Sequence, residues 1–178
     1  MKEFGSRHGK GSSFVEIPFV LWILLVGIVL PLICLATLGI RYTFFLNASR
    51  QAVHAAAQAK SFQQDFPPNL SSQTIAQQTA TSCCKAFSGL TLNSVTTYIV
   101  ITPVQAGASP SQQTTHLSTP ADEENFFYQI QVQLQGQLSP LIPVPGGGFG
   151  LKIPGLTEPY PIQTFAKEPS ENTQGLSL

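Results

Sequence analysis

The sequence predicts an α+β membrane protein, in which a long N-terminal transmembrane helix continues as an amphipathic rod and packs on a small antiparallel β-sheet. Three observations predict it. Residues 17–40 are a run of 24 without a single charge. Residues 41–62 keep a helical spacing of apolar side chains. From residue 94 onward the apolar period changes from 3.6 to 2.

The uncharged run sets the class. As a helix it is about 36 Å long, against about 30 Å for the hydrocarbon core of a bilayer. Sixteen of its 24 residues are Leu, Ile, Val or Phe. Their insertion gains roughly 5 to 10 kcal/mol before the smaller penalties of Pro18, Pro31 and the glycines. A core helix of a soluble domain is seldom this long and this apolar. A cleaved secretory signal has a shorter apolar region, roughly 7 to 15 residues, and Ala36-Thr37-Leu38-Gly39 is a poor cleavage site. Lys2, Arg7 and Lys10 precede the run, and Arg41, Arg50 and Lys60 follow it. The upstream cluster is denser, and a long charge-poor segment translocates readily. This places the N-terminus in the cytoplasm.

Composition narrows the partners. Charged residues are 10% of the chain, against about 25% in a typical soluble domain. Nine basic residues balance nine acidic ones. With no basic stripe there is no electrostatic case for a nucleic-acid partner. Gln, Ser and Thr supply the polarity, which suits an export compartment or an assembly.

Past the span, Tyr42, Phe45, Leu46, Ser49, Val53, Ala56 and Ala57 recur at three- and four-residue steps. They mark one face of a helix that extends the membrane segment into a single rod. "DFPPNL" ends it, since two prolines cannot continue the ladder. A shorter helix is expected over 71–87, closing near Gly89. "SVTTYIVITPV" (94–104) is rich in β-branched residues and reads as a strand. "FFYQIQVQLQG" (126–136) alternates. Tyr128, Ile130, Val132 and Leu134 face one way and Gln129, Gln131, Gln133 and Gln135 the other, a half-buried strand with one wet face. The polar segment 105–125 between them is expected to be a mobile loop and a contact surface. Two weaker strands are expected over 149–153 and 161–166, and the tail from Glu168 is expected to fray. The organisation is then a basic leader over 1–11, a transmembrane helix over 12–41 and an extramembrane helix over 42–64. A small α+β domain over 65–167 and a polar tail over 168–178 complete it.

A single carboxylate, Glu16, stands at the mouth of the span. Ser13-Phe14-Val15-Glu16 fits a capping box, in which Glu16 reaches back to the amide of Ser13. A carboxylate is also favoured at a helix N-terminus by the dipole. A second explanation uses the residues upstream. A cut between Gly11 and Ser12 leaves a new amine on Ser12, with Glu16 fifth in the processed chain.

Other chemistry is sparse. Cys34 lies mid-span as an apolar filler. Cys83 and Cys84 are adjacent, on the side of the membrane where disulfides form. Vicinal cysteines rarely bond each other without strain, so a bond to a partner, or two thiols of which one is buried, stands beside a disulfide between them as an equal expectation. Neither the cysteines nor His8, His54 and His116 have metal-ligand spacing. Asp122, Glu123 and Glu124 read as a solvated loop. Asn47-Ala-Ser and Asn69-Leu-Ser match glycosylation sequons, which carry no role in a bacterial chain. Gly146-Gly147-Gly148 lacks the Lys and the helix of a phosphate loop. No residues carry catalysis, and no cofactor is expected.

The short basic leader, Gly11, four residues, Glu16 and a long apolar helix resemble the start of type IV prepilin-like proteins. The longer stretch "GKGSSFVEIPFVLWILLVGIVLPLICLATLGIRYTFFLNASRQAVHAAAQA" resembles the N-terminal half of TadE-like (TadE/TadG family) proteins of tight-adherence pilus systems. Gly39, Arg41, Tyr42, Asn47, Ala48 and Ala52 stand at comparable places. "YQIQVQLQGQLSPLIPVPGGGFGLKI" resembles that family's strand, turn and strand. Ile17 departs from it, since an aromatic is usual after the Glu. The resemblance implies a minor pilin or pseudopilin in the bacterial inner membrane, with its C-terminal domain periplasmic or extracellular. It implies other pilin or pseudopilin subunits and the pilus assembly platform as partners, and a prepilin peptidase that acts between Gly11 and Ser12. It also implies that Glu16 sets helix register by pairing with a neighbour's N-terminal amine. A charge entering a helical bundle is costly unless paired. The alternative is an unprocessed, membrane-anchored binding module of the bacterial envelope that captures its ligand through loop 105–125.

Overall fold

The computed structural model describes residues 13–105, 107, 109–141, 153–155 and 157–178. One long helical rod carries a four-stranded antiparallel sheet, so the α+β layout read from the sequence holds. The rod runs through α1 (Ser13–Leu24), a π-helical turn (Leu25–Val29) and α2 (Leu30–Ala57). Pro31 explains the π turn. It has no N–H to give to the carbonyl of Gly27 and its ring crowds that carbonyl, so the helix widens one turn earlier. The rod ends at Ala57, where the expected pattern ran to residue 62, because Gln58 already leaves the helical ladder.

α3 (Ser72–Lys85) starts where Ser71 caps it, the Ser71 hydroxyl accepting from Thr74 N–H at 3.4 Å. The strands are β1 (Leu90–Pro103), β2 (Ser111–Gln113), β3 (Phe126–Leu138) and β4 (Tyr160–Pro169), in the order β2-β1-β3-β4. β1 pairs with β3 along its whole length, with one bulge between Leu92 and Ser94. The core lies between the sheet and the helices. Phe45, Ala48, Ala52, Val53 and Ala56 of α2 and Ala76, Ala80 and Cys84 of α3 meet Ile99 of β1 and Ile130, Val132 and Leu134 of β3. The small residues of α2 let its backbone lie close to α3 and the strands. Gly136 serves the same purpose from β3, since a methyl group there would stand 2.9 Å from the Phe45 ring.

Several expectations change. Tyr42 and Leu46 do not join the buried face: Tyr42 is exposed and Leu46 half-buried, while Ala48 and Ala52 are buried. The helix turns its packed face toward the sheet only from Phe45. Gln131 shares the outer face with Gln129, Gln133 and exposed Gln135 but is itself buried between Tyr98 and Lys167, and its Oε1 accepts from Gln112 Nε2 of β2 at 3.4 Å. Segment 105–125, expected as a mobile loop, contains β2. It is tied by Gln73 Nε2 donating to Thr114 O at 2.9 Å and by Leu117 N–H donating to Leu176 O at 2.8 Å. The tail, expected to fray, folds back as a 3₁₀ turn (Thr173–Ser177) that buries Leu176. Glu171 N–H donates to Ala57 O, and Phe62 and Gln63 donate to Gly175 O and Leu178 O. These bonds satisfy backbone groups left open at the end of α2. Of the expected strand over 149–153 only Ile153 is described, and it is not in a strand. The strand expected over 161–166 is β4, longer at both ends.

Candidate functional site

The rod has two different surfaces. From Ile17 to Val29 the large apolar side chains are exposed all round the helix. Leu21 is 62% and Trp22 61% exposed, with no polar face among them. From Phe45 to Ala57 the same rod is buried on one side by its own domain. Ile17–Ala57 contains one helix long and apolar enough to cross a membrane. A helix that is apolar all round is covered either by protein or by a membrane, and this stretch is bare of its own domain and long enough to span a bilayer. The chain can therefore be anchored in a membrane by this single N-terminal helix.

Charges bracket the span. Glu16 is the fourth residue of α1. Gly11 and Ser12, the expected cleavage site, lie outside the described residues. At the other end Arg41 is the first charge, and its Nη1 donates to the carbonyl of Ser139. Its guanidinium also fills the space over Gly89, where a methyl group would stand 2.6 Å from Nη2. Gly89 has φ +82°, so the turn after α3 needs glycine on two counts. Phe44 stacks on Phe87 with ring centroids 3.8 Å apart. Arg41 and Phe44 thus fasten the base of the sheet to the rod where it leaves the apolar run. In the sequence Arg41 stands out as a flanking charge and as part of the resemblance, and neither points to this contact. Its partners are a carbonyl and a glycine far along the chain, and neither leaves a pattern near residue 41.

The two adjacent cysteines close α3, far from Glu16 along the rod. Both are thiols. Cys84 points into the core, and burial, with Cys83 beside it, pushes its pKa up to about 11. Cys83 is half-buried and donates to Gln51 Oε1 at 3.1 Å.

The acidic loop is turn chemistry. Asp122 Oδ1 accepts from the N–H groups of Glu124 and Asn125, and Oδ2 accepts from Asn125 Nδ2 at 2.8 Å. The Asn125 bonds hold the Asp122 carboxyl below its ordinary pKa. Among the described residues no three His, Cys, Asp or Glu side chains gather to hold a metal ion. At the distal end His54 Nδ1 lies 2.7 Å from Glu168 Oε1, a contact between α2 and β4 that the sequence did not suggest.

Comparison with models of protein families, with curated proteins and with solved structures finds no match for this chain.

Proposed function

We propose that the chain is a structural subunit of a tight-adherence (type IVb-like) pilus or a related secretion filament. In this reading it is a TadE-like minor pilin or pseudopilin that sits in the bacterial inner membrane with its N-terminus in the cytoplasm. One observation carries the reading. A single rod is bare and apolar over its first half and bonded to a small α+β domain over its second. A rod of this build can exchange lipid for neighbouring rods over Ile17–Val29 without disturbing the domain, because the core lies farther along, with Leu38 packed against it and Phe45 inside it. The sequence motif adds to it, with a basic leader, Gly11 and Glu16 ahead of the apolar run. Glu16 then fixes the axial register of adjacent rods by pairing with the amine of a processed neighbour, since an unpaired charge in a helical bundle is costly. The partners are other pilin or pseudopilin subunits, the assembly platform and a prepilin peptidase.

Intact-mass spectrometry of the protein extracted from its native membrane tests the processing. The expected mass is that of a chain beginning at Ser12, with or without a methyl group on the new amine. A chain that retains Met1 to Gly11 contradicts it and favours an unprocessed anchor.

A further inference from the structure

The turn after β3 and before β4 has features that the filament reading does not use. Gly155 is buried against the rod, and a methyl group there would stand 2.6 Å from Leu38 Cδ1. Leu38 belongs to the apolar run. Glu16 marks the near edge of that run, and Leu38 lies about 33 Å farther along the helix axis. That is close to the ~30 Å thickness of the hydrocarbon core. The contact therefore lies at the far boundary of the lipid. The domain reaches down to that boundary and does not stand off on a stalk.

The side chains around the contact suit this position. Ile153 is 43% and Tyr160 48% exposed, and Leu141, Pro154 and Pro159 of the same connection are exposed as well. Tyrosine is favoured at the headgroup level, where its ring meets the acyl boundary and its hydroxyl meets water. Lys85 is exposed at the end of α3, at the same end of the sheet. The face of the rod below the contact is itself covered: Cys34 is 2% exposed while its neighbours Ile33 and Leu35 are open.

Within the described end of this connection, Ile153 to Glu158, the backbone bonds to itself. Ile153 N–H donates to Thr157 Oγ1 at 2.9 Å, Thr157 N–H to Ile153 O at 2.9 Å, and Gly155 N–H to Glu158 O at 2.6 Å. Pro154, Pro159 and Pro161 have no N–H to satisfy.

From these contacts we infer that the rim formed by Leu141, Ile153 and Tyr160 is a second membrane contact. It rests in the interface of the bilayer that the helix crosses and fixes the tilt of the domain on it. The inference depends on the membrane reading of the helix, and the test separates the two. The full chain is reconstituted in vesicles of phosphatidylcholine and phosphatidylglycerol, with bromine on the acyl chains either near the headgroup or near the bilayer centre. Trp22, the only tryptophan, reports on the span. Ile153→Trp and Phe127→Trp, each with Trp22→Phe, report on the rim and on the distal end of the sheet. Tyr160→Trp repeats the rim measurement at a second exposed site.

The expected result is loss of Trp22 emission with the deep label, and loss of Ile153→Trp and Tyr160→Trp emission with the shallow label. The Phe127→Trp emission should not change. A quenched Trp22 with rim indoles as bright as Phe127→Trp overturns the rim contact and leaves the anchor standing. Equal quenching at Phe127 and Ile153 also overturns it. An unquenched Trp22 overturns both.

Discussion

His54 and Glu168 are both solvent-facing, yet their contact at 2.7 Å raises the His54 pKa above 6.5, first by the hydrogen bond to Glu168 and then by its charge. The raised pKa belongs to the folded state. The contact therefore adds stability at pH values below the ordinary histidine range, and that stability is lost as pH rises through the folded-state value. Thermal unfolding in detergent should show a midpoint that falls as pH is raised from the mildly acidic range through neutrality. Glu168→Gln should flatten that slope. The two adjacent thiols differ in the same residue-by-residue way. Cys84 is buried with its pKa near 11, and Cys83 is reachable. Alkylation of the folded protein near neutral pH, followed by peptide mass analysis, should modify Cys83 and spare Cys84 until the protein is denatured, since the thiolate is the reactive form. Equal labelling of both in the folded state would contradict the packing of α3.

At the scale of elements, periodicity showed what it could. Tyr128, Ile130, Val132 and Leu134 of β3 are all buried, as their alternation required. Val53, Ala56 and Ala57 are buried on α2, as their helical spacing required. Three features left no such trace. β2 is three residues long in a polar segment, too short for a period to register. Gln131 is buried among cross-strand neighbours Tyr98 and Lys167, with Gln112 of β2 donating to it, partners far off in sequence. Leu176 is one apolar residue in a polar tail, and its burial depends on backbone bonds to Phe62, Gln63 and Leu117 that no local pattern encodes. The candidate site was legible as motif alone. Glu16 and the apolar run were visible, whereas the clamp of Arg41 on Ser139 and Gly89 joins residues far apart in sequence. The role of α2 in the core of the domain can be measured. Phe45→Ala, at a fully buried site between rod and sheet, should cost about 3 to 5 kcal/mol of unfolding free energy. Ser71→Ala, which removes the α3 cap, should cost about 1 kcal/mol. Denaturant titration of the detergent-solubilised protein checks both.

For the whole molecule, the division of labour along the rod matters most. The domain is held from Phe45 upward by packing, at its base by Arg41 and Phe44, and at its top by the returning tail. Below that, the helix from Ile17 to Val29 is free of its own domain on every side. Lipid or other rods must cover it. In the proposed filament, Glu16 is the one carboxylate that would travel with that surface from bilayer to bundle. The most direct measurement is co-purification of tagged and untagged copies from membranes that contain the assembly machinery, for the wild-type chain and for Glu16→Gln. Both chains should be found in the membrane fraction. The wild-type chain should retrieve its untagged copy or other filament subunits, and Glu16→Gln should lose that retrieval. If Glu16→Gln retrieves them as well as the wild type does, Glu16 does not set the register and the proposed association of rods is wrong.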